Sequence, residues 1–192
     1  MYTVAGFTTM LLLTSCVKQL EKAYTGTTVV EIDAAPLNSN FTGVTYPILT
    51  RIPPDGIPLR TADSTLRRFS GTVKVRINLV GPQVAQEQTI GYKIFNSPIT
   101  SISFPATAAG QTPATAAGTL SVVDALAGTH FTALSGKCTI PANSSFGFIE
   151  IPVRNTVATA SQGRFIGIQL DSTGSLMPNP NYCRIGMVID QR

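Results

Sequence analysis

At 192 residues the chain is long enough for one domain that buries about 70% of its unfolded surface, so a core needs neither disulfides nor a metal to hold it. Charged residues make up 12% and hydrophobic residues 43%; a charged fraction near half the ~25% usual for globular domains speaks against a cytosolic enzyme and for an all-β extracytoplasmic domain. The net charge of +4 rests on 14 basic against 10 acidic residues, and the one local concentration (Arg60, Arg67, Arg68, Lys74, Arg76) has neither interleaved aromatics nor a nucleic-acid motif, which sets nucleic acid aside and leaves a solvated basic face.

Residues 4–13, VAGFTTMLLL, form an apolar run of about ten, too short to cross a bilayer as a mature helix but suited to a signal-peptide core. Leu13-Thr14-Ser15-Cys16 follows at once. It resembles the bacterial lipobox, in which small residues precede a cysteine that is acylated and becomes the first residue, although no Lys or Arg precedes the apolar run. The resemblance implies a lipoprotein signal peptide over residues 1–15, a covalent lipid on Cys16 and a short tether over 16–26. Acyl chains hold a membrane by roughly 0.8 kcal/mol per buried CH₂, so two or three of them anchor the protein stably.

From Thr27 onward the pattern is that of strands. Thr27 to Asp33 is rich in β-branched residues and predicts the first. Residues 34–70 carry Pro36, Pro47, Pro53, Pro54 and Pro58, which predicts an irregular segment, with one helical turn over Asp63 to Phe69. Thr72 to Val80 alternates Val73, Val75, Ile77 and Leu79 with polar residues, one face core and one wet. Thr89 to Phe95 returns with Ile90, Tyr92 and Ile94 on one side. The near-duplication PATAAGQT, PATAAGTL over residues 105–120 is too poor in large apolar groups for a repeat fold and predicts a loop. A short strand, Leu120 to Val123, leads into the central feature, a β-hairpin: Lys137 to Ile140, a turn over Pro141 to Ser145, and Phe146 to Val153 with Gly147, Ile149, Ile151 and Val153 facing one way. Gly163 to Leu170 and Tyr182 to Asp190 complete about eight strands, the pattern of a single β-sandwich domain over 27–192, with a barrel as the alternative.

Four motifs now stand together: Thr72 to Gly81 (TVKVRINLVG), Ala127 to Phe131 (AGTHF), Ile140 to Ser144 (IPANS) and Phe148 to Val153 (FIEIPV). They resemble the Calx-β-like, immunoglobulin-type domains of Bacteroidota outer-membrane lipoproteins. The resemblance implies an all-β, two-sheet sandwich, a cell-envelope setting and a cell-surface or outer-membrane location. Calcium-binding members gather carboxylates at one loop end, whereas Asp124, Glu150, Asp171 and Asp190 are scattered singly here, so no metal is expected.

Catalytic groups are equally sparse. His130 is the one histidine, no G-x-S-x-G elbow supports a serine nucleophile, and no phosphate loop or dinucleotide fingerprint is present; no catalytic residue and no cofactor beyond the lipid is expected. Cys138 and Cys183 share the inward register of their strands and form either a disulfide or two free thiols packed as small hydrophobes. The longest irregular segment is the expected contact surface, with Phe41, Tyr46, Arg51, Ile52, Ile57 and Arg60 mixing aromatic, apolar and arginine side chains as interface cores do. These features lead to a lipid-anchored interaction module, an accessory subunit binding an outer-membrane protein. The alternative, from the resemblance alone, is a glycan-binding surface lipoprotein of a polysaccharide uptake system.

Overall fold

The alternation of Val73, Val75, Ile77 and Leu79 produces β3 (Gly71–Val80), all four side chains buried. In the computed structural model, which describes residues 24–33, 40–104, 106, 109–110, 116–156, 162–172 and 176–192, β3 lies within a four-stranded sheet ordered β10-β1-β3-β8. Its partners are β1 (Val29–Ile32), β8 (Phe146–Val153) and, beyond β1, the two-residue β10 (Met177–Pro178). Both β1 and β8 run antiparallel to β3, while β10 runs parallel to β1. The inward residues of β8 are Gly147, Ile149, Ile151 and Val153, as the period of two requires.

A second, larger sheet packs against the first. Its path is β2 (Ile48–Leu49), β11 (Arg184–Asp190), β9 (Gln162–Leu170), β4 (Gln88–Phe95) and β7 (Lys137–Ile140), and β5 (Ser101–Phe104) with β6 (Gly118–Asp124) joins it through β9. Strand β9 pairs with β11 along one side; on the other it pairs with β6 over Gln162 to Phe165 and with β4 over Gly167 to Leu170. The chain is therefore an all-β, two-sheet sandwich of the immunoglobulin-like kind, with eleven strands and no helix among the described residues.

Apolar contact divides into two cores. The main one lies between the sheets and includes Val75, Ile77, Ile149, Ile151, Ile166, Ile168 and Met187. The second gathers Ile102, Phe104, Leu120, Val122, Phe165 and Val188, residues of opposite parity on β9 and β11, so it lies on the outer face of the larger sheet. Strands β9 and β11 are thus buried on both faces. Aromatic rings cover the glycines there: a Cβ on Gly167 would meet the Phe95 ring at 2.6 Å, and one on Gly186 the Phe165 ring at 2.7 Å.

Three sequence expectations change. Strands β7 and β8 do not form a hairpin: β7 pairs with β4 and β8 with β3, so Pro141 to Ser145 is an arch that carries the chain from one sheet to the other. Asn143, in the left-handed region at φ 57°, makes the bend. Asp63 to Phe69 is not a helical turn, because its backbone bonds outward: Thr65 bridges Arg51 and Arg67 bridges Asp190. The strand over Ser101 to Phe104 was not expected, and neither were the two-residue β2 and β10. The 34–39 part of the irregular segment and most of the 105–115 loop lie outside the described residues.

The arch brings β8 closer to β7 than sheet packing ordinarily does. A Cβ at Gly147 would run into the Thr139 carbonyl oxygen, with the carbonyl carbon at 2.9 Å and the Ile140 Cα at 3.2 Å. All three are backbone atoms that cannot rotate away. Gly147→Ala is expected to destabilise the fold by about 1–3 kcal/mol, the range for overpacking a close-packed site; urea denaturation monitored by circular dichroism reads the change.

Candidate functional site

The outward residues of β3 and β8 meet on the free face of the four-stranded sheet. Register sets Lys74 opposite Glu150, Arg76 opposite Phe148 and Asn78 opposite Phe146. Lys74 Nζ lies 3.1 Å from Glu150 Oε1, an exposed pair of the kind that contributes about 0–1 kcal/mol. Diagonal neighbours interact as well: the Arg76 guanidinium sits 4.1 Å from the Phe146 ring centroid and the Lys74 ammonium 5.6 Å from that of Phe148, and the two rings meet edge to face at 5.7 Å. Each cation covers one aromatic ring.

Arg76 also ties the irregular segment to this face. Its Nη1 lies 3.2 Å from Asp55 Oδ1, its Nε 3.7 Å from Asp33 Oδ2, and the Nε donates to Asn78 Oδ1 at 3.0 Å. Asp33, at the end of β1, is buried. The Pro53-Pro54 pair stiffens the loop, and Gly56 turns it at φ +64°, where a Cβ would lie 3.0 Å from Arg76 Nη1. Between loop and sheet runs a groove of about 230 Å³, lined by Ile52, Pro53 and Pro54 of the loop, by Phe148, and by the core residues Ile32, Val75 and Ile185. Apolar surface under a charged rim is an arrangement that accepts a protruding apolar group of a partner.

The expected contact residues are divided by the fold. Ile57 is 49% exposed, Arg60 is exposed and bonded to Asp63, and Ile52 lines the groove. Phe41 is half-buried against the outer core. Tyr46 and Arg51 are each only 6% exposed and are corrected from surface to interior: Tyr46 packs edge-on to Phe95 at 5.4 Å, and Arg51 donates to the carbonyls of Asp63 at 2.5 Å and Ala106 at 3.2 Å. An irregular segment has few ladder bonds of its own, so these two side chains supply its core and its hydrogen bonds. The sequence reading missed Asp33, Lys74, Arg76 and Phe148 as groove residues, although three of them occupy the wet positions of clearly alternating strands.

His130, Cys138 and Cys183 do not line the groove. His130 is buried, and its Nδ1 accepts the Leu126 N–H at 2.9 Å, which places the ring proton on Nε2. Burial, and then the positive charge of Arg164, hold its pKa below the ordinary value. Cys138 and Cys183 are free thiols rather than a bridge; burial pushes Cys138 up to about 11, so it stays protonated at neutral pH. Cys183 is half-buried, with its Sγ 3.5 Å from the Pro180 carbonyl. Among the described residues no three His, Cys, Asp or Glu side chains converge as metal ligands would. Cys16 lies outside the described residues.

No protein-family model and no curated protein matches the chain. Among solved structures it is similar to the apo form of the Calx CBD1 domain, at 12% identity over 87% of this chain and 100% of that one, with a TM-score of 0.46. It is also similar to CBD12 of CALX1.2, at 13% identity over 64% of this chain and 40% of that one, with a TM-score of 0.40. The sandwich assignment rests on the sheet order and register described above.

The His130 environment sets a pH dependence. Its folded pKa lies below the unfolded value of 6.5, so between the two values the unfolded chain binds more protons, and stability falls as pH drops through about 6.5, levelling off below the folded pKa. One titrating group limits the slope to about 1.4 kcal/mol per pH unit. His130→Asn keeps an acceptor for the Leu126 amide and removes the titration; urea midpoints from pH 7.5 to 5 are expected to fall less steeply in this variant than in wild type.

Proposed function

We propose that this chain is a non-catalytic, lipid-anchored interaction module of the bacterial cell envelope, an accessory subunit that binds an outer-membrane protein through the groove beside Pro53 and Pro54. The observation that carries the reading is that groove: an apolar lining, two adjacent prolines, and Lys74, Arg76 and Asp55 as its charged residues. The anchor rests on the lipobox-like Leu13-Thr14-Ser15-Cys16. A sugar platform asks for open aromatic faces, whereas Phe146 and Phe148 each carry a cation, Arg76 and Lys74, over one face.

Two experiments test the two halves of the proposal. Cys16→Ser is expected to lose acyl labelling and to move to the soluble fraction; a wild type that takes no label, together with a variant that stays in the membrane, overturns the anchor. For the groove, deleting the whole 41–60 segment is unsuitable because it removes the buried Tyr46, Leu49 and Arg51. The pair Pro54→Arg and Ile57→Asp changes the segment where it is accessible. Affinity purification from detergent-extracted native membranes should recover an outer-membrane protein with wild type, and the double variant should hold it at least about tenfold more weakly, a loss of roughly 1.4 kcal/mol, with an unchanged melting curve. A chain that purifies alone and binds sugars saturably in both forms makes it a glycan binder instead.

A further inference from the structure

Strand β11 bonds β9 along one edge, while β2 covers its other edge at Gly186 and Met187. The Leu170 N–H donates to the Cys183 carbonyl at 2.9 Å, so odd-numbered residues of β11 bond β9 and even-numbered ones turn N–H and C=O toward β2. Gly186 uses its N–H there, donating to the Pro47 carbonyl at 2.9 Å. One step earlier the ladder stops. Pro47 has no N–H to offer the Arg184 carbonyl, and no described residue accepts the Arg184 N–H. At that point a recess of about 300 Å³ is lined by Thr45, Pro180, Asn181, Cys183 and Arg184. It lies at the lower end of the size range of small-molecule sites and shares no lining residue with the groove beside Pro53 and Pro54.

The Arg184 side chain is held in place yet keeps free donors. Register sets it opposite Gln169, and its Nε donates to Gln169 Oε1 at 3.1 Å. That bond orients the guanidinium, while neither Nη atom has a described partner. Burial raises the Tyr46 pKa and the Arg184 charge opposes that rise, so the guanidinium lies within electrostatic reach of the residue next to Thr45. No carboxylate lines the recess; beside the Arg184 donors it offers the Thr45 hydroxyl and the Asn181 amide. A bare main-chain N–H, a guanidinium fork and two neutral polar groups suit a ligand group that only accepts hydrogen bonds.

We propose that the recess binds an oxyanion, the phosphate or carboxylate group of a small ligand, through the N–H and the guanidinium of Arg184 together. Either group accepts two parallel bonds from one guanidinium, and the main-chain N–H adds a third donor that the strand already holds in place. Thr45 and Asn181 then meet whatever carries the anion. Lys93, opposite Gln169 on its other side, adds positive charge to the same face without lining the recess. Asp171, two residues beyond Gln169, makes no ion pair with Arg184 or Lys93; its charge opposes an anion, so Asp171→Asn tightens binding. The site stands whether or not the groove binds a protein.

Cys183, in the lining of the recess, provides the readout. The full chain in non-ionic detergent micelles is treated with iodoacetamide while sodium phosphate or sodium acetate replaces sodium chloride at fixed ionic strength. Peptide mass mapping follows Cys183, with the buried Cys138 as internal reference. At least one of the two probes is expected to slow Cys183 alkylation saturably, and which one does so separates phosphate from carboxylate. Arg184→Lys keeps the charge but loses the fork, and is expected to raise the half-protecting concentration at least about tenfold, the loss of one charge-assisted hydrogen bond. Lys93→Gln removes a charge from the same face outside the recess and should change that concentration less than about twofold. The Arg184 amide resonance gives a reading independent of the thiol and should shift with the same midpoint. If neither probe protects Cys183 or moves the Arg184 amide at up to about 100 mM, far weaker than a millimolar site, the proposal is overturned. An equal loss in Arg184→Lys and Lys93→Gln also overturns it, because the effect is then one of general charge.

Discussion

A strand has two edges, and β9 has three neighbours. Strand β11 occupies one edge, while β6 and β4 divide the other between Phe165 and Gly167. Both the main core and the outer core depend on that division, because β9 contributes Ile166, Ile168 and Leu170 to the first and Phe165 to the second. Where β4 takes over from β6, the Phe95 ring lies against Gly167. A side chain at that position would displace Phe95, which bridges Tyr46 and Phe165, and through Tyr46 would disturb the irregular segment that walls the groove.

How much of this is legible in the sequence depends on how many faces a strand buries. Strand β3 buries one, so Val73, Val75, Ile77 and Leu79 stand out against charged neighbours and the assignment follows. Strands β9 and β11 bury two, and alternation alone assigns Ile166 and Met187 inward but leaves Phe165 and Val188 unexplained. The arch is a harder case. Pro141 to Ser145 has the composition of a tight turn, and neighbouring strands usually pair; what prevents the pairing is that β3 and β4, far away in the chain, already hold one edge of each strand. Ser101-Ile102-Ser103-Phe104 does alternate, but four residues are few from which to infer a strand.

The irregular segment shows why contact residues are difficult to choose by type. Tyr46 and Arg51 have the chemistry of interface anchors, yet a stretch without ladder bonds has to build its own interior, and long side chains with polar tips serve that need. The groove is then lined also by residues of neighbouring regular strands, such as Lys74 and Phe148, whose outward direction the pleat fixes. Arg76 unites the two groups, since it is a strand residue whose ion pair with Asp55 holds the loop in place.

The order of strands in space also bears on how the chain reaches its fold. Strand β1, the first in sequence, pairs with β10, and the two-residue β2 pairs with β11, each across most of the length of the chain. Strand β11, the last, is an interior strand flanked by β2 and β9. A chain emerging residue by residue therefore has a gap in the middle of its larger sheet until Ile185, Met187 and Ile189 arrive. Such non-local pairings fold slowly, because loop closure is costly before the contacts that reward it form. Until then the nascent protein is a set of strands with open edges, dependent on whatever shields them while it waits for its last one.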